Sequence, residues 1–414
     1  MDPVLTRSQL VRWRAAIFAI FMASGLSIAT WAARVPAIRD ALQISRTDVG
    51  LMLLIGGLAS ILGLSTSSVV LARWGARRGM LVMMLTFAVG VAVIGVSADL
   101  LHSVALVTVG LVLWGFGNGC LDVMMNVEGA AIEKHMGRTI LPLFHAFFSF
   151  GTVIGAGVAA IGAGMPPAVH LPIMAGVIVV IAVISIANVP SREAAMDAPA
   201  AAKAGWRDRL TLALSAWKEP RTYALGLIML GMSFAEGGAN DWLALGVVDG
   251  HGAPEALGAA ALATFSVCMT GVRVLGGPLV DRFGRVLTLR ILAVLAGGGL
   301  LLFILAPSLP LVFVGAALWG MGASLGFPLG MSAAADDPAK AAARVSATAT
   351  IGYVAFLAGP PVLGYISDHI GLLNTLYIIV ALIVASGLAS GAARPLHGSA
   401  IGVGHPVPSD STEP

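Results

Sequence analysis

Apolar residues in this chain run in long stretches separated by short polar turns. A helix needs about 20 mainly apolar residues to cross a bilayer. By that rule twelve spanning helices are expected, near 13–35, 47–72, 79–98, 103–127, 139–163, 168–188, 221–247, 257–281, 286–306, 309–333, 344–367 and 372–391. The longest polar interruption, Pro190–Pro220, divides them six and six. It contains AMDAPAAAKAG, which reads as a flexible linker, and then WRDRLTLALSAW, which reads as a short amphipathic helix at the membrane surface. After Ala392 the chain is rich in Gly, Pro, Ser and His, the composition of a disordered tail. The expected organisation is a six-helix bundle over 1–189, a linker over 190–220, a second six-helix bundle over 221–391 and a tail over 392–414.

Composition agrees with that pattern. Of 414 residues, 58% are hydrophobic and only 11% are charged, against roughly 25% charged in soluble proteins. The mean hydropathy is +0.92. Such a chain cannot cover a globular surface with polar groups, so it is an all-α integral membrane protein. The net charge of +3 does not point to nucleic acid, because the basic residues sit in short clusters between apolar segments. With the N terminus inside, the cytoplasmic side receives Arg73, Arg77, Arg78, Lys134, Arg138, the basic residues of the linker, Arg282, Arg285, Lys340 and Arg344. The outer side receives only Arg39 and Arg46, with Arg34 near its mouth. That asymmetry predicts both termini in the cytoplasm. Arg7, Arg12 and Arg14 resemble the basic end of a signal peptide, but the apolar run Ala15–Ala33 is too long for one and reads as an uncleaved first helix. Cys120 and Cys268 both fall inside apolar segments and read as small buried hydrophobes, with no metal site.

The two halves repeat. LWGFG at 113–117 returns as LWGMG at 318–322, Trp31 has a counterpart in Trp242, and Arg73-Trp-Gly75 is echoed by Arg282-Phe-Gly284. Parallel halves of this kind bind their ligand at the interface between them.

Charged and polar groups at membrane depth are costly and need a partner, a wet cavity or a task. On the fourth segment Asn118, Asp122 and Asn126 are spaced i, i+4, i+8 and share one face. A carboxyl in a partly dry cavity can bind and release a proton near neutral pH, so Asp122 is a candidate proton-coupling residue; the bland alternative is a permanent interhelical hydrogen bond. On the fifth segment His145, Ser149 and Thr152 share a face, and His145 could be a proton partner of Asp122 at similar depth. It could equally cap a backbone carbonyl. The seventh segment carries Glu236, Asn240, Asp241 and Trp242, with Gly237 and Gly238 weakening the helix there. Arg273 needs a counter-ion, for which Glu236 is the best candidate, or it could grip an anionic solute. Glu128 reads as structural. Trp31 and Arg34 read as a gate with Trp242, or as membrane-belt anchors. Trp319, Tyr353 and Phe356 are cavity candidates or packing residues. The counterpart of Asp122 in the second half is Phe327 and that of Asn126 is Met331, so the twofold scaffold does not itself require those polar groups.

Gly277-Pro-Leu-Val-Asp281-Arg282-Phe-Gly284-Arg285 resembles the GxxxDRxGR loop of the major facilitator superfamily, and Arg73-Trp-Gly75 a degraded first copy that lacks the aspartate. NVEGAAIEK, FAEGGANDW, VDGHG and LWGMGASLGFPL resemble the YbjJ-type inner-membrane proteins, related to the fucose:proton symporter branch. The resemblance implies twelve helices in two pseudo-symmetric bundles and alternating access. It also implies a cavity lined by the seventh segment, and proton coupling through an acidic residue on the fourth, where Asp122 stands. The expectation is a secondary transporter of a small polar solute, sugar or sugar-like, coupled to protons through Asp122, His145 and Glu236. Solute would meet Asn118, Asn126, Ser149, Asn240, Asp241, Trp242, Arg273, Trp319 and Tyr353. The expected protein is a monomer in a bacterial-type inner membrane, with no cofactor. A proton-antiporting exporter of amphipathic compounds is the rival within the class. A nutrient sensor would need a sizeable signalling domain, and neither linker nor tail supplies one. No nucleotide-binding loop or HExxH motif suggests an enzyme or an ATP-driven pump.

Overall fold

A computed structural model describes residues 6–136, 140–190, 215–337 and 340–396. The first half consists of α1 (Arg7–Ala32), α2 (Arg46–Ser67), α3 (Arg73–Asp99), α4 (Val104–Met136), α5 (Leu141–Ile161) and α6 (Pro167–Ile186). The second consists of α7 (Pro220–Leu245), α8 (Glu255–Val274), α9 (Gly276–Leu305), α10 (Leu309–Ala334), α11 (Ala341–Ile370) and α12 (Leu372–Ala393). Eleven of the described helical segments are long and apolar enough to cross a membrane. The twelfth is α7, which at 26 residues has the length but carries Arg221, Glu236 and Asp241. Most of the expected surface helix at 206–217 and the tail beyond residue 396 lie outside the described residues.

The helix starts follow local chemistry. Thr6 caps α1 and Ser45 caps α2, each in a reciprocal capping box with Gln9 and Asp48. The connections expected after α2 and inside the 277–285 motif are not open loops. Arg46–Asp99 is one helical run broken at Gly75, with φ 70° and ψ 169°, and α9 is broken at Gly284, with φ 72° and ψ 163°. Only glycine takes such angles at little cost, so the repeated Arg-aromatic-Gly motif marks two equivalent turns.

The halves share one packing plan. In the first, α1 lies on α5, α4 on α2 and α3, and α3 on α6. In the second, α7 lies on α11, α10 on α8 and α9, and α9 on α12. The halves meet along two seams, α2 with α11 and α5 with α8, which the pseudo-twofold exchanges. Without a hydrophobic force between helices in lipid, close backbone contact through small residues holds such bundles. A Cβ on Gly151 would collide with the Met22 carbonyl, and one on Gly115 with the Gly56 carbonyl. Gly151→Val is therefore expected to lower stability by about 1–3 kcal/mol, seen as a fall in the thermal midpoint in detergent. Gly157, which has nothing within 4 Å of an added Cβ, should tolerate the same change. Cys120 is buried and Cys268 half-buried, both free.

Candidate functional site

The face of the bundle near Thr6 is called the near face here, and the face at Ala32 the far face. Among the described residues, three carboxylates of the second half hold the first half at the far face. Asp249, on a π-helical turn Gly246–Gly250 that ends α7, accepts from Arg46 Nη2 at 2.7 Å and from Arg39. Asp368, at the end of α11, accepts from the backbone N–H of Arg46 at 3.2 Å and of Thr47 at 2.8 Å, and from the Thr47 hydroxyl at 2.6 Å. A carboxylate of one half thus caps a helix of the other, where the helix dipole favours it. Arg34, buried, directs its N–H groups at the carbonyls of Ala163 and Met165 and stands 2.9 Å from Glu255 Oε1. Geometry makes this last contact ionic, since Glu255 Oε1 receives no well-directed hydrogen bond. Toward the near face, no hydrogen bond or ion pair joins the halves beyond Ser149–Arg273 among the described residues. The polar ties between the halves among the described residues thus gather at the far face, with exposed His145 and Tyr353 beside the space between the halves.

The wall of that space contributed by α4 is polar. Ser24 of α1 donates to Asn118 Oδ1 at 2.7 Å, and Trp114 Nε1 to Ser27 Oγ at 3.2 Å. One turn further, Asn126 Nδ2 donates to the Asp122 carbonyl at 2.8 Å and reaches its Oδ1 at 3.3 Å. Asn118, Asp122 and Asn126 are all half-buried. Asp122 has no cationic partner among the described residues. It lies within electrostatic range of Tyr353 on α11, whose ring is 52% exposed and sits 5.7 Å from Phe327 and 6.5 Å from Phe356. A polar strip of the first half thus faces an aromatic strip of the second. Glu128 is buried and accepts from Trp13 Nε1 at 2.8 Å, a packing role.

Arg273 occupies the centre. Its Nη2 donates to Glu236 Oε2 at 2.8 Å, its Nε to the Ser324 carbonyl at 3.0 Å and its Nη1 to Ser149 Oγ at 3.3 Å. The Ser324 carbonyl is free because α10 is interrupted between Ala323 and Gly326. Irregular backbone at membrane depth must find its hydrogen bonds inside the protein, and Arg273 supplies one. Asn240 and Asp241 are half-buried and make no hydrogen bond among the described residues.

Several expectations are corrected. His145 does not meet Asp122: it is exposed, its ring stands edge-on to Phe21 at 5.2 Å, and the nearby charge is Arg273. The reason is that α5 packs on α1 and α8 rather than on its sequence neighbour α4. Nor does the imidazole cap a carbonyl among the described residues. Trp319 is fully buried between Phe265 and Phe303 at 5.6 and 5.8 Å, inside the second bundle and away from the cavity. Trp242 is fully buried against Gly364 and has no surface for a solute. Trp31 is buried too and makes no ring contact with Trp242 among the described residues; of the expected gate, Arg34 alone crosses between the halves.

At the near face, Asp281 and Arg282 are exposed, and Arg282 lies 5.5 Å over the Phe283 ring. Gly277 is exposed, as is Arg73, which has no ion pair among the described residues. Arg285 donates to Asp336 at 2.6 Å. Arg344 and Lys340, at 2.6 and 2.8 Å, hold the Glu219 carboxyl below the usual carboxylate range. Sequence reasoning missed Glu219, Asp249, Glu255, Asp336 and Asp368, whose only signal was an acidic residue in or beside a polar turn.

The sequence model of the Major Facilitator Superfamily matches residues 16–360. The uncharacterized transporter y4wD of Sinorhizobium fredii is 30% identical over 382 residues, covering 92% of this chain and 97% of that protein. Among solved structures, the nucleoside transporter NupG aligns with a TM-score of 0.71 at 15% identity, over 93% of this chain and 98% of that one. The E. coli fucose:proton symporter FucP aligns with 0.62 at 16%, over 94% and 100%. At these identities the structural likeness concerns the fold.

Proposed function

We propose that this chain, which belongs to the major facilitator superfamily of membrane transporters, is a proton-coupled symporter of a small polar solute of sugar or sugar-like type. The observation that carries the reading is Asp122, a carboxylate without a cationic partner among the described residues, facing the exposed ring of Tyr353 across the space between the halves. A carboxyl that meets water in one state and protein in the other binds its proton differently in the two, and that difference drives a population shift. Asn118, Asn126 and Asn240 offer hydrogen bonds to hydroxyl groups, and the aromatic strip of Phe327, Tyr353 and Phe356 offers a face for a ring. The solutes of the structural neighbours, a nucleoside and fucose, are polyhydroxylated rings, and the YbjJ-like motifs support the same branch. Glu236, Asn240, Asp241 and Arg273 form the opposing wall. The bundles over 1–189 and 221–391 rock about the α2–α11 and α5–α8 seams, with the chain acting as a monomer.

The distribution of Lys and Arg supports a cytoplasmic near face in a bacterial inner membrane, with both termini inside. On that assignment the far-face ion pairs close the outside. Asp249→Asn would remove the acceptor shared by Arg39 and Arg46. It is expected to raise the outward-open population about five- to thirtyfold, in line with common coupling energies. Spin labels at Leu101 and His369, exposed on opposite halves at the far face, would report a longer-distance population. An unchanged distance distribution would remove Asp249 from the latch.

The coupling itself is tested by the sign of proton flux. Purified protein in weakly buffered proteoliposomes, offered sugars, sugar acids and nucleosides in turn, should alkalinise the outside when solute enters. Acidification would assign the exporter reading instead.

A further inference from the structure

The second half closes its near face around a buried carboxylate. Asp336, which follows α10 and whose side chain is 4% exposed, accepts from Arg221 at 2.9 Å and from Arg285 at 2.6 Å. Arg221 opens α7 and Arg285 follows the Gly284 turn of α9. Arg221 also donates to the carbonyls of Ala392 and Arg394, at and just past the end of α12. Three helix ends, those of α7, α9 and α12, are tied round one anion.

The pseudo-twofold relates α7, α9 and α12 to α1, α3 and α6. At the matching place in the first half is a cleft of about 290 Å³, lined by Gln9 and Arg12 of α1, Arg77 after the Gly75 turn, and residues 187–190 past α6. The two guanidinium groups recur, and among the described residues no carboxylate lines the cleft. Arg12 and Arg77 make no ion pair or hydrogen bond among the described residues. Gln9 Oε1 takes the Thr6 N–H in the α1 cap, which leaves its Nε2 as a donor. Asn188 donates to the Ile184 carbonyl.

Unpaired arginines at this face are also what membrane orientation alone produces, as with exposed Arg73 and Arg78. Arg12 and Arg77 differ because they converge on one concavity whose counterpart holds an anion. The cleft lies where three spans begin or end, the depth of lipid headgroups, and basic pockets between helix ends bind such groups. The planar arginine fork matches the oxygens of a phosphate. We propose that this cleft binds a phosphate-bearing anion, the headgroup phosphate of an anionic membrane lipid or a soluble phosphate, held by Arg12 and Arg77 in the role that Asp336 fills in the other half.

The test uses the full-length protein in a neutral detergent, titrated separately with dioleoylphosphatidylglycerol and with inorganic phosphate while the thermal midpoint is followed. A saturable rise is expected for the unaltered protein. In Arg12→Gln/Arg77→Gln the half-saturating concentration should increase at least about tenfold, the loss of one or more charge-assisted hydrogen bonds. Gln9→Glu, at a residue that lines the cleft and whose capping role a glutamate also fills, supplies the carboxylate from within. It should abolish the rise while melting, without additive, at or above the unaltered protein, so a folding defect in the arginine variant cannot mimic the result. A response to the lipid alone assigns the site to a headgroup, and an equal response to inorganic phosphate assigns it to a soluble anion. No response to either probe, or a rise undiminished in both variants, overturns the proposal.

Discussion

Asp122→Asn is expected to leave the protein folded and able to exchange solute, and to abolish proton-driven accumulation. Asparagine keeps the shape of aspartate and keeps an oxygen for the Asn126 amide, which lies 3.3 Å from Asp122 Oδ1. The α4 face should therefore stay intact, and the change removes only the capacity to carry a proton. With one proton per solute, a pH step of one unit supports accumulation of about tenfold. The variant should stop at equal concentrations inside and out. Counterflow of solute, which needs no gradient, separates this loss from a binding defect: it should persist at a comparable rate. Full accumulation in the variant would assign the proton to another group, and Asp241 would be the next to examine. That residue is half-buried on α7 with no hydrogen bond among the described residues, and it makes the same measurement informative in Asp241→Asn.

Much of the scaffold was legible because it is written in local chemistry. Long apolar runs give the spans, the LWGxG and Arg-aromatic-Gly repeats give the twofold, and i, i+4, i+8 spacing places Asn118, Asp122 and Asn126 on one face. The limits appear where a residue's role depends on which helix it meets. His145 belongs to a helix that packs on α1, so Phe21 rather than Asp122 stands beside it. Trp319 and Trp242 are large and apolar, and nothing in their spacing says whether they face a cavity or a core. The interruption of α10 falls in Ala-Ser-Leu-Gly, four residues ahead of Pro328, whose missing N–H leaves the Ser324 carbonyl without its helical donor, a local signal that sequence reasoning missed. Arg39 and Arg46 read as orientation markers only. Their partners Asp249 and Asp368 lie more than two hundred residues away in turns where a carboxylate is ordinarily just solvated. Distance along the chain, rather than weakness of the interaction, is what hid the far-face latch.

Arg273 shows how that limit bears on mechanism, and the Glu236→Gln and Arg273→Gln variants should separate its two possible tasks. Three of its N–H groups are already committed, to Glu236, to Ser324 on the broken α10 and to Ser149 across the seam between halves. Both side chains are below 20% exposure, so removing either partner strands a charge in a poorly solvated place. Breaking a fully buried pair costs about 3–5 kcal/mol, and with this residual hydration each single variant is expected to lose about 2–3 kcal/mol, read as a lower unfolding midpoint in detergent. The double variant Glu236→Gln/Arg273→Gln should recover a large part of that loss, since no charge is left alone and two amides can still reach Ser324 and Ser149. Transport divides the roles further. If Arg273 serves to bind Glu236 and close the α10 break, the double variant should transport measurably better than either single one. If Arg273 grips an anionic solute, the double variant should be as inactive as Arg273→Gln while matching the unaltered protein more closely in stability. The existing hydrogen bonds favour the first outcome, because a solute anion would have to displace a carboxylate already seated at 2.8 Å.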